Sequence, residues 1–156
     1  MIPPYWLFGA HLRILLDEQQ THATYDLIEG FFPEGTQTPL HLHTKYDELI
    51  YILEGAFTLY THNGMVTLSA GEHILVPRNT PHVMAASSKS ANRALYIASP
   101  SGFAKLLRLV GIPDLTQGLP PGQPNDMGLF IELSKESGDI ILGSIGALPL
   151  VTKADD

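Results

Sequence analysis

Short apolar runs separated by turn-forming residues make up the first two thirds of the chain. Runs of this length that recur about every 8–12 residues are typical of the strands of an all-β sandwich or barrel. The runs span residues 12–16, 24–32, 48–53, 56–60, 65–68, 74–76, 82–86 and 93–98. Between two of them, His62-Asn63-Gly64 contains the Asn-Gly pair that marks a tight hairpin, since both residues tolerate positive φ. The pattern therefore predicts an all-β fold.

After residue 99 the apolar positions change to helical spacing. Apolar side chains recur between 103 and 110 at intervals of three and four residues. Ser99 is a typical N-cap and Pro100 fits the first helical position, so the helix is predicted to begin there. Gly111 and Pro113 are expected to end this helix.

A stretch rich in proline and glycine, residues 114–124, follows as a predicted linker. A second helix is predicted to begin at Asn125 or Asp126 and to end at Ser137, where Gly138 supplies the cap.

We expect residues 1–113 to form a barrel with its following helix, and the core motifs to lie at 35–86. Residues 114–156 are expected to supply the linker, the C-terminal helix and a last strand at 140–142. Two arrangements of the helices are open: they pack on the outside of the barrel, or they cover its mouth or exchange with a partner subunit. The first is favoured because amphipathic helices usually just bury their apolar faces.

The composition excludes several classes of function. The 156 residues contain no cysteine, which excludes disulfide scaffolds, cysteine-ligated zinc, iron–sulfur clusters and a cysteine nucleophile. The net charge is −7 and the basic residues are scattered, so we expect no nucleic-acid partner. Neither a signal peptide nor a membrane span is recognisable, so we expect a cytoplasmic protein without a membrane partner. Charged residues make up only 16%, which indicates a buried subunit interface.

Two histidines at positions i and i+2 form the first half of a candidate metal site. On a strand, His41 and His43 would point to the same face about 6.5–7 Å apart along the chain, and two tilted imidazoles can then reach one ion. Glu48 follows after a four-residue connection and begins an apolar run. A neighbouring strand could therefore bring its carboxylate to the same place.

His82 is the natural third nitrogen ligand, because it opens the run 82–86 after a turn segment. Two or three imidazoles with one carboxylate suit one divalent transition metal, Fe, Mn, Ni, Cu or Zn. Such a set leaves coordination positions open for water, O2 or a small-molecule substrate. Met84 shares a strand face with His82 and is the candidate substrate-binding residue.

The remaining histidines lack partners at a matching spacing, and we expect them to be surface or structural residues: His11, His22, His62 and His73. Other aromatic side chains of the apolar runs are expected in the core rather than in a pocket: Tyr51, Phe57 and Tyr96.

These residues resemble the two sequence motifs of the cupins. The first motif is present at every defined position: Gly35, five residues, His41-Leu42-His43, four residues, Glu48, six residues and Gly55. The second is present as Gly71, five residues, Pro77 and then His82, with Asn79 in place of Gly and Ala86 in place of Asn. Asn tolerates a left-handed backbone, so we expect the turn at Asn79 to be kept, whereas Ala86 puts a structural hydrogen bond in doubt.

The resemblance implies a cupin jelly-roll β-barrel that holds a metal ion inside through His41, His43, Glu48 and His82. A looser likeness, at Trp6, Gly9 and residues 99–113, indicates the single-domain bacterial cupins grouped with quercetin 2,3-dioxygenase. Cupins are usually dimers, so the resemblance also implies a homodimer, which agrees with the apolar composition.

The leading hypothesis for the function is a metal-dependent, dioxygenase-type oxidoreductase acting on a small aromatic or enolic substrate. Glu48 would remain a ligand or act as the general base for a substrate hydroxyl, which makes it the candidate catalytic residue. Two alternatives stay open: a non-catalytic metal-dependent module that binds or senses a small molecule, and a metal-assisted isomerase or lyase. Fold alone does not decide among them.

Overall fold

The structure of the protein is a computed structural model that describes residues 2–116 and 126–152. Within these ranges the chain forms short strands, with two helices near its C-terminal end. The strands are β1 (Tyr5–Leu7), β2 (Ala10–Leu16), β3 (Asp26–Phe32), β4 (His41–His43), β5 (Asp47–Glu54), β6 (Ala56–Thr61), β7 (Gly64–Ser69), β8 (His73–Val76), β9 (Val83–Ala86), β10 (Asn92–Ser99), β11 (Ile112–Pro113) and β12 (Asp139–Ile141). The helices are α1 (Phe103–Val110) and α2 (Met127–Ser137).

Two antiparallel sheets pack face to face as a jelly-roll barrel. The larger sheet has the strand order β11-β1-β2-β3-β10-β5-β8 and the smaller one β7-β6-β9, while β4 and β12 form a separate pair. Side chains alternate between core and solvent along the strands, as on β10, where Ala94, Tyr96 and Ala98 are buried. Phe32 of the larger sheet meets Phe57 of the smaller one at a ring-centroid distance of 5.2 Å, so the core lies between the sheets. The predicted all-β fold with C-terminal helices is confirmed.

The predicted hairpin forms, but its positive φ angle lies at one residue only. Thr61 of β6 pairs with Gly64 of β7, so His62 and Asn63 make the turn. Gly64 has φ of 107°. Asn63 does not have positive φ, although the Asn-Gly signal implied it for both residues. Only the residue that re-enters the ladder needs this conformation, and glycine adopts it at little steric cost.

Two strands had no recognisable sequence signal, because each is only two or three residues long. β1 and β11 pair at the edge of the larger sheet, with Trp6 opposite Ile112. The backbone N–H of Asp114 then donates to the carbonyl of Pro4 at 2.7 Å. Through these contacts, the segment that follows α1 packs against the N-terminal strand β1.

The first helix begins at Phe103 rather than at Ser99 and Pro100, so that prediction was wrong. Gly102 is the N-cap and offers no side chain. The buried carboxylate of Asp26 instead accepts hydrogen bonds from the N–H groups of Gly102 at 2.8 Å and Ala104 at 3.0 Å. A distant acidic side chain therefore satisfies the orphan donors of the first turn, a partner that local sequence cannot reveal.

The second helix agrees with its prediction within the described residues. The Asp126 side chain accepts from the N–H of Leu129 at 3.0 Å, and Gly138 closes the helix with φ of 82°. Asn125, the other predicted start, and residues 117–124 of the predicted linker lie outside the described residues. Neither α1 nor α2 is long and apolar enough to cross a membrane.

Replacing Asp26 should destabilise the fold more than replacing a surface cap does. We expect Asp26→Ala to lower the free energy of unfolding by about 2–4 kcal/mol, because two buried N–H groups lose their acceptor. Asp126→Ala, which removes the exposed cap of α2, should cost about 1 kcal/mol. Urea unfolding of both variants measures the difference, and equal losses would contradict the role assigned to Asp26.

Candidate metal centre

Two of the predicted ligands lie on the short strand β4. His41 and His43 point to the same side, as predicted from their spacing, and their ring centroids lie 4.8 Å apart. His43 is almost fully buried, with 3% of its surface exposed, and His41 is partly exposed. β4 pairs with β12 on one side, which fixes the direction of both imidazoles.

His82 is brought to this strand by the backbone. It lies directly before β9, which begins one residue later than predicted, and bridges to His41. The N–H of His82 donates to the carbonyl of His41 at 2.9 Å, and the N–H of His41 donates back at 3.2 Å. Its ring centroid lies 4.3 Å from that of His41 and 5.1 Å from that of His43.

The turn before His82 keeps its form without glycine. Asn79 has φ of 63°, so the expected left-handed conformation at this position is confirmed. Its N–H donates to the carbonyl of His43 at 2.6 Å, which ties the turn to β4. Further along, the N–H of Ala86 donates to the carbonyl of Thr36 at 2.8 Å. The two motif segments are thus joined by their backbones.

Each of the three imidazoles is held through its Nδ1 atom. His41 Nδ1 lies 2.7 Å from the Pro39 carbonyl oxygen, and His82 Nδ1 lies 2.8 Å from the Thr80 carbonyl oxygen. A carbonyl oxygen only accepts, so Nδ1 carries a proton in both rings, and Nε2 is the nitrogen left to face a metal ion. One ring nitrogen from each of His41, His43 and His82 lies within 4.8 Å of the others. Three imidazoles in this arrangement could hold one metal ion.

Glu48 stands at the start of β5 and completes the predicted set. Its Oε2 atom lies 3.2 Å from His43 Nε2 and 3.4 Å from His82 Nε2. Only 4% of its surface is exposed. All four residues singled out in the sequence therefore meet at one place in the barrel.

Burial and charge set the protonation of these groups in opposite directions. Burial lowers the pKa of His41 well below its usual range, and the neighbouring imidazoles lower it further. Burial also lowers the pKa of His43, but the carboxylates of Glu48 and Asp139 outweigh this effect and raise the pKa to about 9. For Glu48, burial raises the pKa, yet the imidazoles of His43 and His82 outweigh it and hold the pKa well below the usual range. Without metal, His43 is therefore an imidazolium between two carboxylates at neutral pH.

Asp139 is a site residue that sequence reasoning missed. Its Oδ1 atom lies 2.5 Å from His43 Nδ1, although the two residues are 96 positions apart. The residue is fully buried and lies on β12. No local pattern marks it, because the signal at this position is the end of helix α2.

A largely apolar cavity opens beside the four residues and encloses about 680 Å³ free of protein atoms, including its opening to solvent. Met84 and Tyr96 line it from the barrel, and Phe103, Leu106 and Phe130 line it from the helices. The helices thus form part of the cavity wall, as in the second arrangement considered from the sequence. No lysine or arginine of the described ranges is in the lining.

Two aromatic residues differ from their predicted places. Tyr96 lines the cavity rather than only the core, and its hydroxyl donates to the sulfur of Met84 at 3.3 Å. Tyr51 was expected in the core, but it is 39% exposed and stacks beside His73 at a ring-centroid distance of 6.4 Å. Alternation along β5 turns Ile50 inward and Tyr51 outward. Phe57 is fully buried, as expected.

The other histidines lie outside the cluster. His11 Nε2 lies 3.0 Å from the Asp114 carboxylate, a structural pair near β1. His22 and His73 are exposed, and His62 lies in the hairpin turn.

Part of the chain matches a known protein family. Residues 30–98 match the family Cupin_2, the cupin domain. This region carries His41, His43, Glu48 and His82. Residues 30–98 thus match the cupin domain, and the jelly-roll fold of the chain is cupin-like.

Two curated proteins are similar in sequence. Quercetin 2,3-dioxygenase of Bacillus subtilis is 27% identical over 101 residues, which cover 65% of this chain and 30% of that protein. An uncharacterized protein of Methanocaldococcus jannaschii is 38% identical over 56 residues, which cover 36% of this chain and 45% of that protein. The chain thus spans less than half the length of either curated relative.

Solved structures share the fold. The polyketide cyclase RemF of Streptomyces resistomycificus is 26% identical, with a TM-score of 0.53 over 60% of this chain and 66% of that one. A predicted oxalate decarboxylase of Thermotoga maritima is 19% identical, with a TM-score of 0.59 over 64% of this chain and 93% of that one. The latter, at this low identity, shows the fold alone.

The metal-free protein should lose stability as the pH rises from about 6.5 to about 9. His43 binds a proton more tightly when folded, with a pKa of about 9, than in the unfolded chain, where it is about 6.5. The stabilisation from this proton is fully present below pH 6.5 and is lost as the pH rises to about 9. The free energy of unfolding should fall by about 3 kcal/mol over this interval. His41 has a lowered pKa, so its contribution is constant over this interval.

Urea unfolding across this pH range, in the presence of a chelator, measures the effect. His43→Gln should remove the slope, because the amide does not titrate, and the exposed His73→Gln should keep it. A wild-type free energy of unfolding that stays flat from pH 6.5 to 9 would contradict the charge arrangement described for His43.

Proposed function

We propose that this protein is a metal-dependent cupin enzyme, a dioxygenase-type oxidoreductase that acts on a small aromatic or enolic substrate. The observation that carries the proposal is the meeting of three imidazoles and one carboxylate at the polar end of an apolar cavity. The sequence similarity to quercetin 2,3-dioxygenase supports the reaction type.

The donor set fits one divalent transition metal. His41, His43 and His82 would supply nitrogen ligands and Glu48 an oxygen ligand, a combination suited to Fe, Mn, Ni, Cu or Zn. The absence of cysteine from the chain leaves no thiolate to favour a softer ion. When bound, such an ion supplies Lewis-acid or redox chemistry and coordination positions for substrate and O2.

The cavity lining supports an uncharged substrate with an aromatic or enolic group. The described lining offers no lysine or arginine to pair with a phosphate or a carboxylate. Met84 and Tyr96 face this space from β9 and β10, and Met84 is our candidate for a substrate-contacting residue. A thioether adapts its shape to flat apolar groups.

Glu48 is the candidate catalytic residue. Its carboxylate is buried at the edge of the cavity beside two imidazoles, where it would accept the proton of a substrate hydroxyl. Because its Oε2 atom lies close to the Nε2 atoms of His43 and His82, Glu48 could also bind the metal ion as a ligand. In a dioxygenation both atoms of one O2 enter the product, so the reaction needs no external reductant.

Two other functions have support of their own. The similarity to a polyketide cyclase favours metal-assisted isomerase or lyase chemistry, which needs no O2. The apolar cavity equally fits a non-catalytic module that binds or senses a small molecule. Turnover and its dependence on O2 separate the three.

We also propose a cytoplasmic homodimer without a nucleic-acid partner, in which residues 1–113 form the barrel unit and 114–156 the C-terminal unit. Four apolar residues form a row across the outward face of the larger sheet: Leu27, Ile97, Leu49 and Leu75. Leu75 is 56% exposed in the single chain. An apolar row on a face that would otherwise meet solvent supports coverage by a second subunit.

Metal binding should stabilise the protein through the histidine cluster. Zn(II) or Ni(II) at a hundred times its Kd should add about 2.7 kcal/mol to the free energy of unfolding, and a chelator should reverse the gain. His82→Ala should abolish the metal-dependent rise in Tm, whereas His73→Ala, at an exposed position, should keep it. An equal rise in both variants would place the binding elsewhere on the chain.

Oxygen consumption tests the reaction type. Protein loaded with Fe(II), Mn(II), Ni(II) or Cu(II) should take up O2 with at least one member of a panel of flavonols and catechols. Uptake should fall to the metal-free level in His41→Ala, and label from ¹⁸O2 should appear twice in the product.

Product formed without O2 would overturn the dioxygenase assignment in favour of isomerase or lyase chemistry. Ligand-induced stabilisation with no product in either atmosphere would favour the binding module.

A further inference from the structure

The C-terminal strand β12 reaches the candidate metal centre from outside the region matched to the cupin domain. It pairs antiparallel with β4, with Asp139 opposite His43 and Ile141 opposite His41. We propose that Asp139 is a positioning residue, which holds the His43 ring so that its Nε2 atom faces the metal ion. This inference rests on the proposed metal-dependent function.

Asp139 is placed to fix one imidazole in one orientation. Its Oδ1 atom lies 2.5 Å from His43 Nδ1, and the residue has no exposed surface. The carboxylate accepts the Nδ1–H proton, which directs the Nε2 atom of the same ring towards Glu48 and the cluster. A ring turned by half a revolution would lose this bond and leave a carbon atom against the buried carboxylate.

The carboxylate is itself held by two hydroxyl groups. Tyr46 donates to Oδ1 at 2.9 Å, and Ser137 donates to Oδ2. The Tyr46 ring also stacks on the His43 ring, with centroids 4.5 Å apart and an interplanar angle of 24°. His43 can therefore change orientation only by breaking a buried network that extends from β4 to the end of α2.

The three imidazoles are consequently not equivalent. His41 and His82 are held by backbone carbonyls two residues away in sequence, whereas His43 is held by a carboxylate from a distant strand. A carboxylate partner makes an imidazole a stronger donor to a metal ion than a carbonyl partner does, because it stabilises positive charge on the ring. The segment 126–142 thus positions a ligand of the metal centre, in addition to forming part of the cavity wall.

The variant Asp139→Asn tests this role in the full chain. The amide oxygen can still accept from His43, so the shape of the site is kept while the negative charge is lost. We expect the affinity for Zn(II), measured by calorimetry, to fall 10–100-fold. Asp114→Asn is the matched control, because it alters another buried carboxylate paired with a histidine, at 3.0 Å from His11, and should leave the affinity unchanged.

Nitrogen-15 NMR of the histidine rings distinguishes positioning from general destabilisation. In the wild-type zinc form, His43 should be bound through Nε2 and carry a hydrogen-bonded proton on Nδ1. Asp139→Asn should shift this Nδ1–H signal and leave the ring signals of His41 and His82 in place. The wild-type spectrum alone tests the inference if the variant does not fold.

The outcomes separate the inference from the proposed function. Equal zinc affinity in wild type and Asp139→Asn, or a wild-type His43 that binds zinc through Nδ1, overturns the role of Asp139 and leaves the metal function standing. Absence of zinc binding by the wild type overturns the proposed function, and the inference with it.

Discussion

The hydrogen bond at each Nδ1 atom is the constraint on which the rest of the site depends. Two backbone carbonyls and one carboxylate accept these bonds, and each leaves the Nε2 atom of its ring free to face the others. Because the rings of His43 and His82 are buried, turning either would strand a polar group away from water. The cluster is therefore organised before any ion binds.

That organisation also explains how the barrel tolerates charge in its interior. An imidazolium at His43 lies between the carboxylates of Glu48 and Asp139, so charges of opposite sign lie within hydrogen-bonding distance of one another. A metal ion that binds Nε2 of His43 must displace the proton found there and takes over its place beside Glu48. The remainder of the cavity is largely apolar, so its titratable groups are concentrated at this one end. Helices α1 and α2 contribute to that apolar wall through Phe103 and Phe130.

Much of this site could be predicted from the sequence, because the features concerned are local. The spacing of His41 and His43 fixes their common face on any strand, and apolar runs with turns between them predict an all-β barrel.

The features that were missed depend on partners far away in the chain. Asp139 is 96 residues from His43, and Asp26 is 76 residues from the N–H of Gly102 that it binds. A helix-start signal at Ser99 was outweighed by that second contact, because a buried carboxylate satisfies more donors than a serine hydroxyl does. Tyr96 was missed as a cavity residue for a different reason. The alternation of side chains along β10 predicts that Tyr96 points inward, but it does not show whether the interior there is packed or open.

Anomalous diffraction at the zinc edge, from crystals of the zinc-loaded protein, addresses the geometry most directly. We expect one strong peak, with the Nε2 atoms of His41, His43 and His82 about 2.0–2.1 Å from the ion. A peak bound through Nδ1 atoms, or located only among exposed carboxylates away from the barrel interior, would contradict the convergence of these three imidazoles on a single cation.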